Sequence, residues 1–305
     1  MKIDFVVIGS GIAGLNAALN VAETGKVLLI TKKRLIQSST NFAQGGIAAV
    51  LNKTDNFKKH VKDTLIAGCF HNDKNAVEFM VKNGPRAIKK LIHIGVKFDI
   101  CNKSICLTRE GGHTKNRIAY SGDRTGEEIE KTLIKTVKKN PRITILENTF
   151  ALDLIVKNKT CFGVQVIHGN KIKNVFARAV VLATGGIGQI YQYTTNPEIA
   201  TGDGIAMAVR AGAEVKDMEF IQFHPTALAM PRKPLFLLSE SLRGEGAILI
   251  NSAGERFMKK AHKLAELAPR DIVAREIYQQ QKSGPVYLDI SHKKPEFIRK
   301  RFPKI

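Results

Sequence analysis

Ile3-Asp4-Phe5-Val6-Val7-Ile8 runs directly into Gly9-Ser10-Gly11-Ile12-Ala13-Gly14, and this stretch decides the fold. Apart from Asp4 the first six residues are apolar, and glycine bounds them, the pattern of a strand buried on both faces. From Ile12 to Ala22 the apolar residues recur at helical spacing, and Val27–Ile30 reads as a second buried strand. The result is a βαβ opening in which Gly9 falls where the strand must turn into the helix. A glycine turn at a helix N-terminus lets the backbone approach a ligand, and the free N–H groups and helix dipole attract negative charge. The turn is therefore expected to hold a diphosphate, with Ser10, Gly11, Ile12 and Ala13 supplying the backbone around it.

Bulk composition narrows the class. The chain has 305 residues, enough for about two domains, with 44% hydrophobic and 25% charged residues. A strand that begins at Ile3 leaves no room for a signal peptide, and no run of apolar residues is long enough to span a membrane. The net charge is +21, but the 48 Lys and Arg are spread along the chain in short clusters such as Lys138-Lys139. With no Trp, and no interleaving of basic and aromatic residues that would stack bases, no nucleic-acid partner is expected. Of Cys69, Cys101, Cys106 and Cys161 only the middle pair lies close together, and no second pair completes a metal set. Reduced cytosolic thiols and no metal are the expectation.

Further along, Asn75–Val81 reads as an amphipathic helix interrupted at Gly84-Pro85, with Pro85 starting a second helix that runs to about Leu91. Glu127–Lys138 reads as another helix, introduced by Thr125-Gly126. Ile143–Leu146, Ala151–Val156 and Gly163–His168 read as strands, with turns at Asn158-Lys159 and Gly169-Asn170. Ala179–Thr184 looks like a return to the central sheet and ends in Gly185-Gly186, and a helix follows over Gly204–Ala211. From Met218 the texture changes to loops carrying polar residues, which sets the expected domains at 1–217 and 218–305.

Four later stretches join the glycine turn. They are Ser38-Ser39-Thr40-Asn41-Phe42-Ala43-Gln44-Gly45-Gly46, Phe223-His224-Pro225-Thr226, Arg243-Gly244-Glu245-Gly246 and Leu267-Ala268-Pro269-Arg270-Asp271. In that order the five motifs resemble the fumarate reductase, succinate dehydrogenase and L-aspartate oxidase family of flavoproteins. The resemblance implies an α/β fold: a Rossmann-like FAD-binding domain carrying an inserted α+β capping domain. The small residues and paired glycines of Ser39, Thr40, Asn41, Phe42, Ala43, Gln44, Gly45 and Gly46 suit close approach to an isoalloxazine ring. In related succinate dehydrogenases a histidine of this motif bonds to the flavin; the aligned residue here is Ser39, which implies non-covalent FAD. Dinucleotide folds usually end the second strand with Asp or Glu; here it ends Thr31-Lys32, and the aspartate oxidases resembled also carry lysine there, facing FAD. Phe150, Ala151 and Asp203 match further family positions that touch the cofactor.

On the substrate side the resemblance assigns His224, Ser239, Glu240 and Arg270. A dicarboxylate needs hydrogen-bonding or cationic partners, and arginine offers a planar fork of donors. The family makes Arg270 the proton-transferring residue, an unusual role for a side chain that normally stays charged. Glu110, in Thr108-Arg109-Glu110-Gly111-Gly112-His113, discriminates best. L-Aspartate differs from succinate by an α-ammonium group, to which a carboxylate offers a charge-assisted hydrogen bond. The expectation is oxidation of L-aspartate to iminoaspartate in the cytoplasm, with oxygen or fumarate as acceptor and quinolinate synthase as pathway partner, on the route to NAD. The basic surface would attract such dicarboxylates. A soluble fumarate reductase or succinate dehydrogenase flavoprotein and a non-catalytic nucleotide-binding fragment stay open. Compared with the family, the sequence stops inside the expected capping domain. A returning strand, a substrate-binding histidine and arginine, and C-terminal helices are not in it, so independent activity is expected to be low.

Overall fold

The apolar run Phe5–Ile8 is a strand whose last three residues are buried, and it sits inside a four-stranded parallel sheet of the computed structural model, which describes residues 2–305. The strand order is Ala179–Leu182, Phe5–Ile8, Val27–Ile30, Ile143–Leu146. Register pairs Val6 with Val180 on one side and with Leu28 on the other. Both central strands are covered on both faces, which is why they read as unbroken apolar runs. Ala179–Leu182 returns beside the first strand, as its sequence suggests.

The chain divides into two compact units. The first comprises residues 2–43, 126–220 and 232–235 of the described chain. In it, the helix Ile12–Val21 packs on the parallel sheet. A three-stranded antiparallel sheet is formed by Thr149–Lys157, Thr160–His168 and Lys171–Phe176; the last of these strands is not evident from the sequence reading. Its two hairpins turn at Asn158-Lys159 and Gly169-Asn170, all four with φ between 51° and 60°, the left-handed pair that a two-residue connection requires. Val6, Ile8, Leu28 and Ile30 point from one face of the parallel sheet into a core shared with Ala151, Val164, Val166 and Met207. Burying each such aliphatic side chain contributes about 1.5–3 kcal/mol.

The second unit comprises residues 44–125, 221–231 and 236–305. Two helices, Phe57–Ala67 and Lys74–His93, pack together, and short strands at 47–48, 107–108 and 118–119 form a small sheet. The helix Arg270–Gln281 and the strand pair Ile248–Ile250 and Tyr287–Asp289 enclose a core of Leu249, Phe257, Met258, Ala268, Val273 and Ile277.

Two expectations are corrected here. Gly84-Pro85 does not divide a helix: Lys74–His93 is continuous, with Pro85 inside it. Pro85 removes one hydrogen bond, at a cost of about 3 kcal/mol. Against this stand the Asp73 cap on the Ala76 N–H and the buried stripe of Val77, Val81 and Ile88, whose spacing continues through the proline. Cys101 and Cys106 are not free thiols. They are joined in a disulfide, because the hairpin of Ile100–Cys101 and Ser104–Ile105 brings their Cα atoms to 5.0 Å. Cys69 and Cys161 remain free.

Candidate active site

In the first unit, Gly9 has φ +114° and approaches Ala183 so closely that a Cβ would lie 2.1 Å from the Ala183 carbonyl oxygen. At Gly14 a Cβ would come within 1.8 Å of the Gly9 carbonyl oxygen. Helix and strand can therefore meet at this turn only with glycine at both positions. The turn is tied from behind by Ser10, whose hydroxyl is within hydrogen-bond distance of Thr31 Oγ1 (3.0 Å) and Leu35 O (2.9 Å).

The turn opens onto a cavity of about 370 Å³ at the C-terminal end of the parallel sheet, where ligands of such sheets bind. Of the residues singled out from the sequence, it brings together Ser10, Gly11, Ile12, Ala13, Lys32, Ser39, Thr40, Phe150, Ala151 and Asp203. Lys32 and Asp203 pair with each other through Nζ and Oδ2, and Lys32 Nζ also donates to Thr201 Oγ1 at 2.6 Å. Asn41 and Phe42 line a neighbouring cavity with Lys33, Gln37 and Ile199, and the Ala43 carbonyl accepts the Gly126 N–H at 3.0 Å. The same cavity also uses Ala183, Thr184, Gly185 and Gly186, which sequence reasoning passed over. Their signal is a glycine pair at the C-terminal end of a central strand.

The donor set suits a flavin dinucleotide. A helix N-terminus with close-packed glycines meets a diphosphate, apolar Ile8, Leu182 and Met207 line the cavity, and Lys32 supplies a cation. In the neighbouring cavity, Asn41 Oδ1 is buried without a partner among the described residues.

In the second unit the predicted substrate residues converge. The short helix Glu240–Gly244, capped by Ser239 through the Ser241 N–H, points Glu240 inward. Glu240 Oε2 accepts from Arg270 Nε at 2.5 Å, and Oε1 accepts the Gly111 N–H at 3.1 Å and lies 3.0 Å from Arg243 Nη2. Arg270 stands at the start of its helix after Pro269, with Nη1 donating to Gln222 Oε1 at 2.9 Å. Burial pushes Glu240 upward, but Arg243 and Arg270 outweigh it and hold the carboxyl below the ordinary range. His224 Nδ1 lies 3.0 Å from Thr226 O; burial first, then Arg270, pushes its pKa down to about 4, so it is neutral at pH 7.

Glu110 is buried beside this group. Ser241 Oγ donates to Glu110 Oε1 at 2.9 Å, and a Cβ on Gly45 would lie 2.9 Å from the same oxygen. Burial and the neighbouring Glu240 charge raise its pKa. Gln44 is buried with Oε1 unpartnered among the described residues, and Gly46 is pressed against Ala119.

The sequence reading missed what holds the Glu110 loop. Arg117, fully buried, makes a two-point contact with Asp55 (2.8 and 2.9 Å) and reaches Asp63 at 2.7 Å. Asp63 in turn accepts from the Thr114 N–H and hydroxyl at 2.9 and 2.8 Å, pinning the chain just beyond Gly111-Gly112-His113. Removing one member of such a buried pair costs about 3–5 kcal/mol.

Residues 4–305 match the family model described as FAD binding domain. L-Aspartate oxidase 1 of Ralstonia nicotianae is 48% identical, over 100% of this chain and 60% of that protein. L-Aspartate oxidase of Yersinia pestis is 47% identical, over 99% of this chain and 60% of that protein. Among solved structures, the FrdA chain of E. coli quinol fumarate reductase superposes with a TM-score of 0.93 at 32% identity, over 99% of this chain and 56% of that one. The chain thus spans about three-fifths of the length of these two oxidases. Among the described residues no helix is long and apolar enough to cross a membrane.

Proposed function

This chain belongs to the FAD binding domain family, and we propose that it serves the oxidation of L-aspartate to iminoaspartate. The observation that carries this reading is the meeting of two buried carboxyls, Glu110 and Glu240, with the half-buried Arg270. A site for succinate or fumarate needs only cations and neutral donors. A second, unpaired carboxyl beside them is costly unless the ligand brings a positive charge, and the α-ammonium of L-aspartate is such a charge.

FAD, when bound, supplies the hydride acceptor. The chain's own residues bind and orient. Arg270, with Nε and Nη1 held by Glu240 and Gln222, presents its remaining donors to a substrate carboxylate. Neutral His224 offers a hydrogen bond without adding charge, while the Ser239 hydroxyl donates to Ser241 and the Ser241 hydroxyl to Glu110, which fixes the Glu110 carboxyl beside the clamp. Held by Glu240 and Gln222, Arg270 is fixed in the orientation of a carboxylate clamp. Proton transfer by Arg270 rests on the family resemblance. Glu110 anchors the ammonium and so fixes which face of the α-carbon is presented.

Several finer features belong to the same proposal. FAD is held non-covalently, because Ser39 stands where a bonding histidine would. The imine product passes to a quinolinate synthase on the route to NAD, in the cytoplasm. The 32% identity to a fumarate reductase chain supports a second reading, reduction of fumarate by the same clamp. Binding separates the two: calorimetry on the FAD-loaded protein should show L-aspartate bound more tightly than succinate, and the reverse order would favour the second reading.

A further inference from the structure

Glu130 lies on the inward stripe of the helix Thr125–Lys139, among Ile129, Leu133 and Val137, and is fully buried. Its Oε2 has no partner among the described residues, while its Oε1 accepts a hydrogen bond from Ser38 Oγ. A buried carboxyl with no cation is a poor contributor to stability; an aliphatic residue would serve that stripe better.

What Glu130 does touch leads to the cofactor cavity. Ser38 has one hydroxyl proton, and Glu130 takes it, which leaves the Ser38 oxygen to accept the Thr40 N–H at 3.0 Å. Thr40 Oγ1 accepts the Ile12 N–H at 3.0 Å, at the first residue of the glycine-turn helix. The Thr40 hydroxyl proton is then free for a ligand. The helix carrying Glu130 grips the same turn a second time at Gly126, where a Cβ would lie 1.9 Å from the Thr40 carbonyl oxygen. Ser38, Thr40 and Ile12 all line the cavity; Glu130 does not.

We propose that Glu130 is a positioning residue of the cofactor site, acting through the Ser38 hydroxyl to hold Thr40 against the N-terminal N–H of the first helix. The inference rests on reading this cavity as the FAD site. Without Glu130 the Ser38 hydroxyl is free to rotate, and the Thr40 side chain loses the fixed setting in which it meets the bound dinucleotide. Burial, opposed only by the Ser38 hydrogen bond, raises the Glu130 carboxyl to about 7, with no charged neighbour contributing. The relay is therefore one of hydrogen bonds and not of ion pairs.

The test is titration of the apoprotein with FAD, followed by quenching of flavin fluorescence, in wild type, Glu130→Ala, Glu130→Gln, Ser38→Ala and the Glu130→Ala/Ser38→Ala pair. Melting each variant without FAD confirms that it folds; Glu130→Gln, nearly isosteric, carries the test if Glu130→Ala does not. Glu130→Ala and Ser38→Ala should each raise Kd about tenfold, the worth of one hydrogen bond. The pair should be no worse than either alone. Glu130→Gln should recover most of the affinity, because its carbonyl still accepts from Ser38. Additive losses in the pair, or unchanged FAD affinity in folded Glu130 variants, would overturn the proposal while leaving the FAD site intact. Failure of the wild type to bind FAD would overturn the cavity assignment and the proposal with it.

Discussion

Ser241 Oγ donates a 2.9 Å hydrogen bond to Glu110 Oε1, and among the described residues no cation forms an ion pair with that carboxyl. Two residues away in sequence, Ser239 caps the helix that aims Glu240 at Arg270. One helical turn therefore places an unpaired acid next to a paired one. Their electrostatics diverge: Glu110 is raised by burial and by Glu240, whereas the two arginines keep Glu240 ionised. The two arginines match the two acids in number, but both pair with Glu240 and neither pairs with Glu110.

That imbalance sets opposite pH responses for two ligands. On the proposed reading, bound L-aspartate would bring its ammonium to Glu110 and lower the Glu110 pKa. Its affinity should therefore rise as pH climbs through the elevated pKa of the free protein. Succinate brings no ammonium and favours the protonated carboxyl, so its affinity should fall over the same window. Calorimetric titrations between about pH 6.5 and pH 8, above the second ionisation of succinate and below loss of the aspartate ammonium proton, read the two slopes. Parallel slopes would remove Glu110 from the recognition step.

Glu130 predicts a pH dependence of folding. Its carboxyl is raised from 4.5 to about 7, so the folded state binds the proton more tightly than the unfolded chain. The penalty of ionising it is absent below the unfolded value, grows between the two, and is complete above pH 7, at up to about 3 kcal/mol. Glu130→Gln removes that penalty. Its melting temperature relative to wild type should increase from pH 5 to pH 8 (about the span of this titration). A difference that stays flat across that range would mean Glu130 is ionised throughout.

Acid precipitation checks how the cofactor is held. With Ser39 in place of an attaching histidine, all flavin should be released into the supernatant. Yellow colour retained on the denatured pellet would show a covalent bond.

Much of this was legible in the sequence because it depends on local chemistry. The turn Gly9–Gly14 and the apolar runs around it announce a parallel sheet, and the pairs Asn158-Lys159 and Gly169-Asn170 mark the hairpins they form. Glu110, Glu240 and Arg270 were identified singly, by family resemblance, and the structure places them in one cluster. Pro85 misled because its local cost is outweighed by packing along the Val77, Val81 and Ile88 stripe. Cys101 and Cys106 misled because the compartment argument ignores a hairpin that juxtaposes them. Arg117 and Glu130 were invisible for another reason. Their partners Asp55, Asp63 and Ser38 lie far away in sequence, and only an acid on an otherwise apolar helical stripe could have drawn attention to Glu130.

The most direct test of the central claim, that Glu110 selects the amino group, is a ratio. Specificity constants for L-aspartate oxidation and fumarate reduction are measured in the FAD-loaded protein, with the C-terminal part that its relatives carry supplied, and in Glu110→Gln, which removes charge but keeps shape. Loss of a charge-assisted hydrogen bond costs about 1.5–3 kcal/mol, so aspartate oxidation should fall roughly ten- to a hundredfold while fumarate reduction changes much less. Arg270→Leu, run alongside, should damage both reactions. Equal losses for the two substrates in Glu110→Gln would contradict the account.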